Sequence, residues 1–446
     1  MKVAIVGAGP TGLVLSAALA RRGHRVDLID RDGGPGTNGS WPRKGVMQFH
    51  HAHGVRKQVT DTLLRELPEA HERWLAAGAE PIHVDTPGGR MLIGTRSRRE
   101  TLERAIRATV EQVPGVTFRI AHAAGVTTAD GRATGVRLDD GTVDADLVID
   151  ASGRSSRVTA DLQAAQGCGA VCGMAYVDRQ YQLNPGADPG PLLSPIAWQA
   201  DLDGAQILVF PHERGMFSIV FARDTARPEL AQLRHDHVFD AVAATIPGLA
   251  EWTDPARSHP ITPVLAGGQL RNHYRSQRTP DGRLRLPGLI SIGDAVCTTT
   301  PIFGRGLATS MMQVDHLLSL LDGGADPIGD PEAIGTAFDD WCQAHMRPWA
   351  EDHMTMDAAQ IARWHGEDVD LSRQLTSEQI LVAGSVDPEI PKACMPYFAM
   401  DAGPEIVRAQ ESRARAVYET GWRAPLSDGP GRAELASTID TALSAA

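Results

Sequence analysis

Residues 2–6 read Lys-Val-Ala-Ile-Val, a short β-branched run that stops at Gly7. The hexapeptide Gly7-Ala8-Gly9-Pro10-Thr11-Gly12 then leads into Leu13 to Arg22, whose apolar spacing is helical and closes at Gly23. Residues 25–30 alternate as a second strand, so the opening is a βαβ unit of the kind that builds a parallel, doubly wound sheet. Each glycine has its own duty. Gly7 makes the tight turn, Gly9 lets backbone approach a pyrophosphate, and Gly12 lets helix and strand pack closely. Asp30 ends the second strand 18 residues after Gly12, near the spacing at which a carboxylate meets an adenosine ribose. The plainer alternative, a glycine-rich turn with Asp30 capping a loop, leaves that register unexplained. The motif predicts a dinucleotide cradle and does not distinguish FAD from NAD.

From Arg31 to Gly45 the chain is rich in Gly and Pro and reads as loop. Residues 55–77 and 98–112 carry helical spacing, the latter with Leu102, Ile106 and Val110 on one face. Short strands are predicted at 116–120, 125–128, 134–138 and 146–150, a meander that returns to the sheet through turns at Asp130-Gly131 and Asp140-Gly141. Alternating stretches from Met174 to Leu183, Ala197 to Asp201, Gln206 to Phe210 and Met216 to Phe221 suit a mixed or antiparallel sheet in a second domain. A strand at 288–292 returns to Gly293-Asp294, and a helix follows from about Leu307 to Leu321. Residues 330–446 are mostly helical, with proline-rich breaks at 388–404. The expected fold class is α/β. A Rossmann-like nucleotide-binding domain in two parts, 1–170 and 276–329, flanks a mixed-sheet substrate domain at 171–275 and precedes a helical C-terminal region at 330–446.

Charge narrows the partners. With 43 basic against 55 acidic residues the net charge is −12, which argues against a nucleic-acid or anionic-membrane surface and for a small molecule. No apolar run reaches the roughly 18 residues of a membrane span, and Gly9-Pro10 and Arg21-Arg22 spoil the superficial likeness of the start to a signal peptide. Five cysteines without a CxxC pair or zinc-spaced histidines point to no metal site and to a reducing cytoplasm. Cys168 and Cys172 read as small buried residues in preference to a redox couple.

Two further motifs lie downstream. Ile149-Asp150-Ala151-Ser152-Gly153-Arg154 ends a predicted sheet strand, and Leu289-Ile290-Ser291-Ile292-Gly293-Asp294-Ala295 precedes Pro301-Ile302-Phe303-Gly304-Arg305-Gly306. With these in order, residues 1 to about 325 resemble the group A flavoprotein monooxygenases, the relatives of para-hydroxybenzoate hydroxylase and squalene epoxidase. The likeness is nearest to actinomycete biosynthetic epoxidases and hydroxylases, including those of antibiotic pathways, that carry a loop like Pro42 to His53. The resemblance implies that Gly7, Gly9, Pro10, Thr11 and Gly12 hold the FAD pyrophosphate, and that Asp30, with Arg31 beside it, meets the ribose. It implies a flavin contact for Arg98, while Arg43 and Lys44 are candidate FAD-phosphate contacts with a solvated surface pair as the alternative. Asp150 and Gly153 form the middle motif, and Gly293-Asp294 binds the ribityl chain. Pro301, Gly304, Gly306 and Leu307 bring backbone against the isoalloxazine, with a helix N-terminus aimed at the charge of the reduced ring. Departures from the family pattern are Gly153 three residues after Asp150, Cys297 where many members have His, and Ala308 where many have Asn. The first leaves the electron source open between NAD(P)H and a separate flavin reductase.

In such enzymes reduced flavin takes up molecular oxygen as a C4a-hydroperoxide and passes one atom to a small organic substrate by hydroxylation or epoxidation. The protein must supply a dry cavity and positioning. His50, His51 and His53 are candidate proton donors or a gate over the ring, with loop packing as the alternative. Tyr176, Arg179, Tyr181, Trp198, Phe210, His212 and Phe303 are candidate pocket residues, with ordinary core as the alternative. Arg179 either meets an acidic substrate group or pairs with Asp178. Three rival classes stay open. A flavin-dependent alkene reductase like the geranylgeranyl reductases fits Asp150 to Gly153. A flavin halogenase needs a lysine near the ring, and only Lys2, Lys44, Lys57 and Lys392 exist. A non-catalytic FAD-binding regulator would need a recognition domain, and the 330–446 tail shows none. That tail either covers the pocket or forms a dimer interface.

Overall fold

The computed structural model describes residues 1–43, 45–86, 89–268 and 270–445; Lys44, a candidate phosphate contact, lies outside them. The β-branched opening forms the strand Lys2–Val6 at the centre of a five-stranded sheet, flanked by Arg25–Asp30 and Val116–Ile120 on one side and by Leu147–Asp150 and Leu289–Ser291 on the other. Every neighbouring pair is parallel. Val3 to Val6 are buried, as a strand covered on both faces requires. The helix Pro10–Arg21 crosses between the first two strands and buries Leu13 to Leu19.

Two expectations are refined. The apolar spacing at 55–77 becomes two helices, Lys57–Glu66 and Pro68–Ala76. Pro68 lacks the N–H a continuous helix needs and holds Leu67 out of helical geometry, at φ −145°. The predicted meander splits. Val116–Ile120 joins the edge of the parallel sheet, while Ala123–Ala129, Arg132–Leu138 and Gly141–Asp144 form their own antiparallel sheet before the chain re-enters at Leu147.

The second sheet is antiparallel, in the order Trp198–Leu202, Ala205–Pro211, Met216–Asp224, Met174–Leu183 and Ser258–Pro260. Its period of two sorts side chains by face. Val177, Tyr181, Trp198, Ile207, Val209, Phe217, Ile219 and Phe221 form one apolar core with Val238, Phe239 and Val242 of the helix Asp236–Ala243. Tyr176, Asp178, Leu208, Phe210, Val220 and Ala222 face the other way, toward the parallel sheet.

The C-terminal region is not a separate body. Ile334 and Phe338 of the helix Pro331–His345, and Tyr397 and Tyr418 further on, belong to the same buried cluster as Leu13 and Ile149. The last helix, Arg432–Ser444, folds back so that Leu435 and Ile439 close the core over Asp236–Ala243. All five cysteines are free. Among the described residues no helix is long and apolar enough to cross a membrane.

Because Phe338 is fully buried in this shared cluster, Phe338→Ala should destabilise the whole chain by about 3–5 kcal/mol. Urea unfolding followed by fluorescence and far-UV circular dichroism should shift together. A separate early transition for the C-terminal helices would contradict the shared core.

Candidate functional site

At the end of the central strand Gly7 adopts φ +107°, and a Cβ there would lie 2.4 Å from the Ala151 carbonyl oxygen. A Cβ at Gly12 would lie 1.9 Å from the Gly7 oxygen, so the turn closes only because both positions are bare. Gly9 differs, since a Cβ there would meet nothing within 4 Å. Its open side faces a crevice with about 1900 Å³ of space between atoms, open solvent included. Gly9 caps the helix Pro10–Arg21 without a side-chain hydrogen bond, leaving first-turn N–H groups free for an anion. Asp30 steadies this turn by accepting the Ala8 N–H at 2.7 Å and the Asp32 N–H at 2.9 Å. Arg43 is buried beneath, donates to the Ala8 oxygen at 2.9 Å, and lies 3.2 Å from Glu103 and 3.7 Å from Asp30.

The two other motifs reach the same crevice. Asp150 itself is buried and does not line it. Its carboxylate accepts from Ser152 Oγ at 2.5 Å and Ser156 Oγ at 2.6 Å, although burial raises its pKa. That clamp shapes the segment so that Gly153 and Arg154 line the crevice. Gly293 likewise serves packing: its N–H donates to Gln313 Oε1 at 2.8 Å, and a Cβ would lie 3.1 Å from Thr11 Oγ1. Asp294 does line the crevice, and among the described residues no donor reaches its carboxylate. Burial raises its pKa, with Arg99 and Arg154 opposing. Pro301, Gly304, Gly306 and Leu307 complete this wall, and the helix Gly306–Asp322 starts without a side-chain cap.

Several expected positions are corrected. Arg98 turns away from the crevice: its N–H and Nε donate to the buried Glu213 at 2.7 and 2.9 Å. Its neighbour Arg99 lines the crevice instead. The backbone at Arg98 is still extended before the helix Arg99–Val110 begins, so consecutive side chains diverge. Arg31 is exposed and packs over Gly45, outside the crevice. His50 reaches toward Glu100 at 3.5 Å, outside the crevice. His51 is buried beside Asp178 and edge-on to Tyr176. Of the three, His53 lines the crevice, and burial pushes its pKa down to about 3. With Nδ1 donating to the His51 carbonyl at 2.9 Å, Nε2 is left to accept from Arg99 at 3.4 Å. A neutral imidazole so committed has no proton to spare.

Strand alternation divides the aromatic candidates. Tyr176 and Phe210 line the crevice, whereas Trp198 and Tyr181 face the helix-covered core, where Tyr181 stacks on Phe217 at 5.2 Å. Arg179 lies on that far face too, bound to Asp240 at 2.6 Å and Asp236 at 3.0 Å, so it meets neither Asp178 nor a crevice ligand. His212 is buried against Ser218 Oγ at 2.8 Å, with its pKa lowered to about 4 by burial. Phe303 packs on His353 behind the loop whose Ile302 and Gly304 line the crevice. Arg99, Asp178, Arg271, Val220 and Leu270 also line the crevice, without a sequence motif that marks them. Asp178 and Val220 were within reach, being in phase with Tyr176 on paired alternating strands.

The FAD binding domain family matches residues 1–323. D-amino acid dehydrogenase 2 of Ralstonia nicotianae is 36% identical over 70 residues, which is 15% of this chain and only 16% of that protein. The fold is similar to that of a flavin-dependent brominase, Bmp2, with a TM-score of 0.60 and 14% identity over 100% of this chain and 99% of that one. It is also similar to PqsL, a probable FAD-dependent monooxygenase from Pseudomonas aeruginosa, with a TM-score of 0.56 and 15% identity over 82% of this chain and 99% of that one.

Two substitutions separate fold from ligand. Gly9→Ala should leave urea unfolding of the apoprotein unchanged while reducing the flavin retained after desalting, because its Cβ enters empty crevice; Gly12→Ala should lower both. Asp294→Asn should lower FAD affinity at least about tenfold and, at neutral pH, leave the apoprotein as stable or more so. The sign follows from linkage. The folded state holds this proton to higher pH than the unfolded chain does, so the carboxylate's contribution to stability falls as pH rises through that interval. An apoprotein destabilised by Asp294→Asn would refute this account.

Proposed function

The chain belongs to the FAD binding domain family, and from that premise we propose that it is an FAD-dependent monooxygenase that hydroxylates or epoxidises a small organic molecule. One observation carries the reading. The crevice runs from the Gly7–Gly12 turn past Asp294 and the 301–307 loop into an apolar chamber walled by Leu208, Phe210, Val220, Ala222 and Leu270. A nucleotide groove that opens onto a walled apolar space suits a redox cofactor facing a substrate.

The residues present fit FAD. Bare Gly9 leaves room for the pyrophosphate, two uncapped helix N-termini offer N–H donors, and Asp294 offers a carboxylate that no donor among the described residues reaches. Bound there, FAD supplies redox chemistry with dioxygen, using electrons from NAD(P)H or a separate flavin reductase. The chain's own part is positioning and exclusion of water. The first turn of Gly306–Asp322 brings its positive end to the groove. His53, neutral and bonded to Arg99, closes the loop side without adding charge. The apolar wall of the antiparallel sheet keeps the reacting region dry.

Halogenation is the weaker reading. Arg43, Arg99, Arg154, Arg271 and Arg305 line the crevice and, among the described residues, no lysine does. A guanidinium stays protonated and cannot take up a hypohalous equivalent as an amine can. The free cysteines accord with a reducing compartment, which we take to be the cytoplasm.

Stopped-flow absorbance tests the proposal. Holoprotein reduced without oxygen and then mixed with it should pass through a transient unlike either the oxidised or the reduced spectrum. Direct reoxidation, together with oxygen-independent reduction of an alkene, would favour the reductase reading.

A further inference from the structure

At the mouth of the crevice the lining turns cationic. The strand Arg271–Arg275 pairs antiparallel with the edge strand Gly167–Val171, placing Val171 opposite Arg271, Gly169 opposite His273 and Gly167 opposite Arg275. Residues directly opposite share a face. Asn272 and Tyr274 point inward and are buried, so this face is the outward one, and Arg271, Arg275 and Val171 on it are exposed. Its two glycines are required: a Cβ on Gly169 would lie 3.1 Å from His273 Cβ, and one on Gly167 would lie 2.1 Å from the Tyr274 oxygen. The result is a low floor from which guanidiniums stand out. Arg154, exposed after the Asp150 clamp, joins them, its carbonyl accepting from Arg275 Nη1 at 3.3 Å.

These charges are unpaired. Among the described residues neither Arg154 nor Arg271 makes an ion pair or a side-chain hydrogen bond, and Arg275 bonds only to that carbonyl. Acids are within reach of the same stretch of chain, since Arg278 pairs with Asp339 and Asp340 at 2.9 and 2.6 Å. In a chain of net charge −12, a group of guanidiniums without acids is a local arrangement and not a result of composition. His273 registers their field: burial lowers its pKa to about 4, and Arg275, Arg154 and Arg271 push the same way. The acids that share the crevice are otherwise engaged. Asp30 and Asp178 accept backbone N–H groups, and Asp294 is the acceptor assigned above to FAD. Inward of Arg271 the character changes within one residue, because Leu270 is buried and walls the apolar chamber.

We propose that the substrate is an amphipathic carboxylate, its acid group held at the mouth by Arg271 and Arg154 and its apolar body lying inward among Leu208, Phe210, Val220 and Leu270. This rests on the reading of the crevice as a substrate chamber. A guanidinium offers a planar fork of donors that matches a carboxylate, and it stays charged throughout the working pH range. At the exposed mouth the acid keeps part of its hydration, so placing it there costs less than burying it in the chamber would. The reacting end is thereby set away from the charge, in the dry part of the site. A neutral molecule of the same shape gains the apolar wall but leaves the guanidiniums in water, and a cation is repelled.

The test uses the oxidised, FAD-loaded protein without reductant and three probes that share one alkyl chain: decanoate, decanamide and protonated decylamine. The flexible chain lets the head group reach the mouth while the tail enters the chamber. Binding is read from perturbation of the flavin absorbance or by calorimetry. At low ionic strength decanoate should bind at least about tenfold tighter than decanamide, with decylamine weakest. The margin should shrink at about 1 M salt, where charges are screened within about 3 Å. Arg271→Gln should weaken decanoate at least about fivefold and leave decanamide unchanged, and Arg271→Lys, which keeps the charge, should lose less. Equal affinity of decanoate and decanamide, tightest binding of decylamine, no binding of any probe, or a preference unchanged by Arg271→Gln would each overturn the proposal. Should the variant not retain FAD, the wild-type ranking and its salt dependence decide. No reduction or turnover is involved, so failure of the oxygen-mixing experiment and failure of this one are separable.

Discussion

Everything in the site depends on the closeness of three backbone segments at the carboxyl ends of the parallel strands. The Gly7 carbonyl lies where a Cβ on Gly12 would have to go, and the Ala151 carbonyl where a Cβ on Gly7 would have to go. Side chains at either place would separate the first helix from its strand and the first motif from the second. The contact with Gly293 extends the same compression, since Thr11 packs against the turn that delivers Asp294. The crevice is thus a consequence of backbone proximity, and its polar groups are arranged around it.

Charge is handled differently on the two sides of the crevice. Arg43 is held among Glu103, Asp30 and Asp32, so its guanidinium is spent on tying the loop to the helix Arg99–Val110. Arg305, also fully buried, has no such acids among the described residues. Its Nη1 donates to His353 Nε2 at 2.9 Å, and the guanidinium lies over the rings of Phe303, Trp349 and Tyr397 at 5.0, 4.6 and 4.2 Å. Burial and the neighbouring guanidiniums keep His353 neutral, so it serves as acceptor. Cation–π contacts replace ion pairing here. They give the C-terminal region a physical role, because Trp349, His353 and Tyr397 come from it and brace the loop Pro301–Gly306 from behind.

Legibility in the sequence followed the range of the interactions. The opening strand, turn and helix were readable because they are local: alternation, glycine punctuation and helical spacing act within a few residues. The Gly-Asp pair at 293–294 and the glycines at 304 and 306 were readable as motifs. Arg98 was misread for its neighbour because one residue decides which way an extended cap points its side chain. Arg179 was misread because its acids, Asp236 and Asp240, come from a helix more than fifty residues downstream. Trp198 and Tyr181 carry the same alternation as Tyr176 and Phe210, and it is the packing of Asp236–Ala243 and Arg432–Ser444 that makes their face the core side.

By itself, then, the sequence determined the βαβ unit, the bare glycines of its turn, the alternation of the second sheet and the net negative charge, all properties of composition or short-range geometry. The tertiary structure decided which sheet face became the chamber and that Arg99, in place of its neighbour Arg98, entered the crevice. The physical reason is that burial and pairing are relations between distant segments. A side chain's solvent, partner and protonation are set only once those segments have met.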